Sequence, residues 1–405
     1  MNGRFGRDSS FADQYHRAME SSLHLWSDRV YGFRTSPFDR RRHISDKVNA
    51  DRRRLLGSAI MTIATAELAL ATSAHACSVT ASARQIALYF AWSRPDEAAA
   101  PLGILEDRFP ALFELRRLRW PQLEQFADPM KFDQGVGGFL DNFQLASFKL
   151  FADLAASWTG NPVRRAERRT DAGLRVLDAE FLRGVDTLII ISLDSSRTQQ
   201  RASDAEIGAI RAFLDDPDHT IFVCPHHSIG NTDGVPEGER LARLELEFHH
   251  HGDPAIPARQ CFSDFGVSLL EGLGLSVRNR FGLRPAKMQD GSPTPLRIVA
   301  ELDRAGLLEG ATTFNLHPHL PHFERLGDST GKLDVLARQA IDPGAPPHPF
   351  TAGGRLDFDA LLQSKPDLFP GRLLICDATA WASTWGGVDG LQRFWRNVVL
   401  WKRSS

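Results

Sequence analysis

Eight of the fourteen histidines fall in three short clusters: His226-His227, His249-His250-His251, and His317, His319 and His322 within "HPHLPH". Imidazole is a common transition-metal ligand and the side chain that most readily takes up or releases a proton near neutral pH. Residues two apart in an extended segment point to one side, so His317 and His319 can address one ion together. His322 extends that set, and His226 with His227 offers a second arm. Asp253, just behind the triple histidine, is a carboxylate that would orient an imidazole or act as a base. A divalent ion, zinc or manganese, held by His226, His227, His317, His319 and His322 would activate water against a C–N or ester bond. The alternative is a thiol mechanism, with Cys224 as nucleophile and His317 as its base.

Each cluster also has a plain structural reading. The triple histidine suits a solvated helix end, where cations are favoured. In "HPHLPH" the prolines define a stiff extended loop whose imidazoles bond locally. Weaker candidates lie at other strand ends: Asp96 and Glu97 behind the first strand, and Asp377 behind "LLIC". Arg280 and Arg284 are candidates for an anionic ligand. P-loop, G-x-G-x-x-G, G-x-S-x-G, H-E-x-x-H and C-x-x-C patterns are missing, which removes the motif support for kinase, dehydrogenase and α/β-hydrolase readings.

The chain has 405 residues, 42% hydrophobic and 24% charged, with a formal net charge of −2. A nucleic-acid binder would show a clustered basic excess, so a small-molecule or carbohydrate ligand, or the role of a non-catalytic binding module, fits better.

The elements that must position these residues follow from periodicity. "QIALYFAW" (Gln85 to Trp92) is an apolar run of strand length, followed by a helical stretch of about seventy residues. "NPVRRAERRT" reads as an exposed basic loop. "LRVLDAEFLRGVDTLIIISLDS" then gives two strands, the second from Thr187 to Ser192 and apolar on both faces. Ser203 and Glu206 form a capping box opening a helix whose apolar face is Ile207, Ile210 and Leu214. The chain re-enters the sheet at Thr220 to Val223. "GRLLICDATAW" and "GLQRFWRNVVLW" repeat the strand and helix pattern, the latter presenting Leu391, Phe394, Trp395 and Val398 on one face. The expectation is a doubly wound α/β domain, with ligands beyond the carboxyl ends of its strands.

The succession "GVDTLIIIS", "SDAEIGAIRAFL", "TIFVCPHH" resembles the core of the class I glutamine amidotransferase-like superfamily over about residues 170 to 400. The resemblance implies a mostly parallel flavodoxin-like sheet, here with a helical insertion after the first strand at about 97–160. It also implies that Cys224 stands at the elbow position and His317 where relatives carry their imidazole, at the end of a late strand. Pro225 has no amide to donate to an oxyanion, and no carboxylate follows His317-Pro318, so glutaminase chemistry is not implied. "FVCPHHS" is closer to the trehalose-utilisation-type branch, with His226 or His227 at the strand end. "HPHLP" also resembles a metal segment of creatininase-type amidohydrolases.

Ahead of this body, Arg52-Arg53-Arg54-Leu55-Leu56, a moderately apolar stretch and Ala74-His75-Ala76 resemble a twin-arginine export signal. The expected organisation is an extension at 1–50, a signal segment at 51–76 and one α/β domain at 77–405. The mature protein would be periplasmic or secreted, or cytoplasmic if the stretch is an internal helix. Glu67 makes a permanent membrane span costly.

Overall fold

The longest apolar run enters the sheet first. Ile86–Ser93 forms β1, buried along its whole length. The computed structural model describes residues 84–98, 145–192, 200–226, 236–239, 264–317, 319–345 and 349–401. The extension at 1–50, the signal segment, most of the expected insertion, His227, Asp253 and the triple histidine lie outside these residues.

After β1 come α1 (Arg94–Ala98), α2 (Lys149–Thr159), β2 (Arg164–Thr170), β3 (Gly173–Leu174), α3 (Ala179–Leu182) and β4 (Thr187–Ser192). α4 (Asp204–Leu214), β5 (Thr220–Pro225) and α5 (Asp264–Gly272) follow. The short strands β6 (Val277–Arg278), β7 (Gly282–Leu283), β8 (Arg297–Ile298), β9 (Leu320–Pro321) and β10 (Glu324–Arg325) lead to α6 (Ser329–Lys332). The chain closes with β11 (Leu333–Ala340), β12 (Asp357–Ser364), β13 (Arg372–Cys376) and α7 (Val388–Leu400).

The nine-stranded sheet has the order β3-β2-β1-β4-β5-β13-β12-β11-β8. The run from β2 to β13 is parallel, and β3, β12, β11 and β8 extend it antiparallel. The fold is therefore α/β with a large mixed sheet whose central strands are parallel. Successive strand residues point to opposite faces. Leu88, Phe90, Ile189, Phe222 and Leu374 accordingly pack with Phe151 of α2 and Phe394 and Trp395 of α7. Tyr89, Ile190, Ile221 and Leu373 face the other way, onto Phe181 of α3, Ile210 and Leu214 of α4, and Leu269 of α5. Both faces are covered, which is why the central strands read as unbroken apolar runs.

Two sequence expectations need correction. "NPVRRAERRT" is not a loop; its Arg164–Thr170 is β2, parallel to β1. Its charges find partners far along the chain: Arg94 pairs with Glu167 at 2.8 Å and Arg168 with Glu206. The "FNLHPHLPH" stretch is not the end of a late strand. Residues 311–317 carry no regular structure, and only Leu320–Pro321 pairs, with Gly282–Leu283. Proline supplies no N–H to a ladder, which excludes the segment from a central position. The parallel strand beside β5 is instead β13.

That irregular segment lies against the start of α7. Gly387, at φ 64°, and Gly390 sit where any side chain would run into the carbonyls of Phe314 and Thr313. The two glycines permit the close approach that seats the histidine loop. Among the described residues no helix is long and apolar enough to cross a membrane.

Candidate functional site

Residues just past the carboxyl ends of neighbouring parallel strands are brought side by side whatever their distance in sequence. β5 and β13 are such neighbours. The residue after β5 is His226 and the residue after β13 is Asp377, and His226 Nδ1 lies 2.8 Å from Asp377 Oδ1. Both side chains are 8% exposed.

Asp377 is held in turn by the short 3-10 turn Ala378–Trp381, which it caps. Its second oxygen accepts from the Thr379 amide at 2.9 Å and from the Thr379 hydroxyl. Burial opposes the charge of this carboxyl. The neighbouring His226 and His317 and the Thr379 hydroxyl more than offset that, and hold it below the usual carboxylate range. An ionised carboxylate can only accept, so Nδ1 of His226 carries a proton and donates it to Asp377. The His226 backbone is fixed as well: its amide donates to Ser192 O at 3.3 Å, and its carbonyl accepts from the Asn279 side chain.

His317 is the other predicted residue at this place. Its ring centre is 4.7 Å from that of His226, with the planes at 74°. The Trp385 ring lies 4.5 Å from it between centres, with the planes at 84°. Asn315 ties its loop to the β13 end, because Asn315 Nδ2 donates to Thr379 O at 2.7 Å and its Oδ1 accepts from the His317 amide at 3.0 Å. The Leu316 amide donates a hydrogen bond to Trp385 O at 2.9 Å. His317 Nδ1 accepts from the His319 amide at 3.2 Å, so the neutral ring carries its proton on Nε2. Nδ1 thus donates in His226 and accepts in His317.

A histidine bound to a metal through Nε2 needs a proton on Nδ1, given to an acceptor. His226 has this arrangement with Asp377, whereas His317 Nδ1 accepts from the His319 amide. His322 Nδ1 accepts from the Asp359 amide at 3.1 Å, and its ring packs on Phe350 at 4.6 Å between centres. Burial lowers the pKa of His322 to about 4, with Arg355, Arg325 and Arg338 adding to the effect against Glu324. His319 is buried beside His317, with ring centres 5.9 Å apart. Among the described residues no three His, Cys, Asp or Glu side chains are placed to hold one ion.

Cys224 is not brought to the imidazoles. It is fully buried in the apolar layer, with Sγ 3.7 Å from Cys376 Sγ and accepting from Trp381 Nε1 at 3.2 Å. Burial and the neighbouring Cys376 push its thiol well above the usual range. A thiol so placed is protonated and shielded, the opposite of what a nucleophile needs. Arg280 and Arg284 are taken up by Glu324 and Asp342, at 2.9 and 3.9 Å. Asp96 accepts from the Ser93 hydroxyl.

Behind the pair lies a small cavity lined by Asn315, Gln339 and Asp377 among apolar groups. Asn279, Asn315 and Trp385, which hold the site together, carry no motif. Asp377 had a legible signal, a carboxylate directly behind an apolar strand and two residues before the threonine whose amide it caps.

No protein-family model matches the chain, and no curated protein matches it.

Proposed function

We propose that the protein is a hydrolase of a C–N or ester bond in which His226, oriented by Asp377, is the general base. The observation that carries this is the buried 2.8 Å contact between His226 Nδ1 and Asp377 at the carboxyl edge of two adjacent parallel strands. His226 Nε2 would take the proton of an attacking water, and the adjacent carboxylate would stabilise the imidazolium. His317, with its Nε2–H, would donate to the oxygen on which negative charge develops.

The setting supports a flavodoxin-like, divergent amidotransferase-like frame. Numbered among themselves in chain order, the five parallel strands run second, first, third, fourth, fifth, the order of that fold. Export by a twin-arginine route would put the site in the periplasm or outside the cell; the N-terminal sequence of the secreted protein tests it, and a start at Met1 would refute it.

The deciding experiment measures turnover of a panel of small esters and amides, alongside elemental analysis of the same preparation. Loss of turnover in His226→Ala and Asp377→Asn, with no stoichiometric metal, is the expected result. Stoichiometric zinc or manganese would replace the general-base reading with a metal-assisted one, with His226 as ligand and His227 or Asp253 among the further donors. A folded, inactive wild type would leave the second reading, a carbohydrate-binding module. Trp385, partly exposed and packed against His317, favours that reading, because an indole face is a natural platform for a sugar ring.

A further inference from the structure

We infer that Cys224 and Cys376 form an oxidisable cross-strand pair, and that a disulfide between them is a covalent modification acting on the neighbouring His226–Asp377 contact.

The placement comes from register. Ile375 pairs with Val223 across parallel strands β13 and β5. One step further along each strand stand Cys376 and Cys224, on the same face of the sheet and with sulfurs 3.7 Å apart. Neighbouring strands are separated by about 4.8 Å, inside the range of backbone separations that a disulfide spans. Both thiols lie in the same apolar layer. The pair also sits in a telling position: Cys376 directly precedes Asp377, and Cys224 is two residues before His226. Closing the sulfurs to bonding distance would draw together the two strand ends that carry the imidazole and the carboxylate. It would also disturb the indole N–H of Trp381, which now donates to Cys224 Sγ at 3.2 Å. Trp381 is the last residue of the turn that Asp377 caps.

The oxidant is a small disulfide. The thiolate of one cysteine attacks it, forming a mixed disulfide and expelling one small thiolate. The second cysteine, as thiolate, then attacks that sulfur and expels the other. Two protein thiols are oxidised, the small disulfide is reduced to two thiols, and the two thiol protons pass to them. Because both cysteines are fully covered in the fold and the Cys224 thiol is held protonated, exchange belongs to the open chain during folding. The redox state met at that moment would then be kept by the closed core.

The test refolds the full chain from denaturant in buffer containing either reduced glutathione alone or reduced and oxidised glutathione together. Remaining thiols are then alkylated under denaturing conditions and the peptides mapped. The expected result is a peptide joining Cys224 to Cys376 in the oxidised arm alone. It should be accompanied by a shift of the His226 ring resonances, which Cys376→Ala and Cys224→Ala, each checked for native circular dichroism, both abolish. Alkylation of both cysteines in the oxidised arm, or pairing only with Cys77 or Cys261, would overturn the proposal. A bridge that leaves the His226 signals unmoved would overturn its link to the site. No arm measures hydrolysis, so the outcome is separate from that of the proposed activity.

Discussion

Two buried charged clusters are built into the same sheet, and they use burial in opposite ways. Near β2, Arg168 and Glu206 pair with side chains only 8% and 1% exposed. Arg168 also donates to Gln200 at 3.0 Å and Tyr89 at 3.3 Å, reaches Arg201 O at 3.1 Å, and lies 4.6 Å over the Phe265 ring. Glu206 accepts from the Leu177 amide at 3.2 Å and the Ser203 amide at 3.0 Å. Burial opposes both charges, yet their mutual contact leaves the Arg168 pKa raised and the Glu206 pKa lowered. Every such bond ties the proton more firmly to the guanidinium. At the β5 and β13 ends the carboxylate instead faces an imidazole, which gives its Nδ1–H to Asp377 and has a second ring nitrogen. Burial alone therefore does not mark a site; the chemistry of the buried groups does.

The sharpest division between the clusters is expected from Asp377→Asn. It should cut the proposed hydrolysis on the order of 10³–10⁴-fold by upsetting the tautomer of His226, with a much smaller change in stability. Steady-state turnover and a denaturant midpoint on the same sample read both. Glu206→Gln should do the reverse, costing about 3–5 kcal/mol of stability because the Arg168 charge is left buried without its counter-ion. Turnover per folded molecule should be unchanged. A Glu206→Gln protein of wild-type stability but lost activity would erase the distinction.

The two clusters were unequally legible in the sequence, for reasons that follow from how each is assembled. The Ser203 and Glu206 capping box was readable because it is local, and it is present as expected. Its partner Arg168 was not, since a strand reading "RRAERRT" has no apolar alternation and its pairing depends on residues 38 positions away. Strands β1, β4 and β5 stood out because both their faces are covered. His226 and His317 were legible as chemistry-bearing types at expected strand ends, although His317 turned out to sit on an irregular loop. The contact of His226 with Asp377 spans 151 positions and arises only from the adjacency of β5 and β13. Tautomers were beyond reach altogether, because they are set by which amide or carboxylate faces each ring.

His322 tests the comparison from a third side: it is a buried histidine whose proton is excluded. Its pKa is about 4 in the fold against 6.5 for the unperturbed group. Below 6.5 the unfolded chain takes up a proton that the folded chain refuses, so stability falls as pH drops from about 6.5 to about 4. The loss amounts to about 3 kcal/mol across that window. Glu324, Arg355, Arg325 and Arg338 face the ring, and Asp359 donates its amide to it. Burial raises the pKa of the Asp359 carboxyl, which works in the opposite sense and blunts the acid end of the window. His322→Asn, which keeps an acceptor for the Asp359 amide, should flatten the slope in denaturation midpoints measured from pH 7 to 4. An unchanged slope would mean that the ring takes up its proton in the fold as readily as in the unfolded chain, and the burial of His322 would then carry no pH dependence.

The smallest effect is expected from Ser203→Ala, and it separates the cap from the ion pair within one cluster. Ser203 Oγ accepts from the Glu206 amide at 3.3 Å and contacts Glu206 Oε2 at 2.9 Å. Losing the hydroxyl removes one helix-end acceptor, worth about 1 kcal/mol. The Ser203 amide still reaches the Glu206 carboxylate, and Arg168 keeps its counter-ion. Thermal denaturation should therefore show a loss several-fold smaller than that of Glu206→Gln. If the two losses were equal, the cluster would derive its strength from positioning Glu206 through the cap. The pairing of fixed charges would then be a consequence of the helix start rather than the staple that holds α4 to β2.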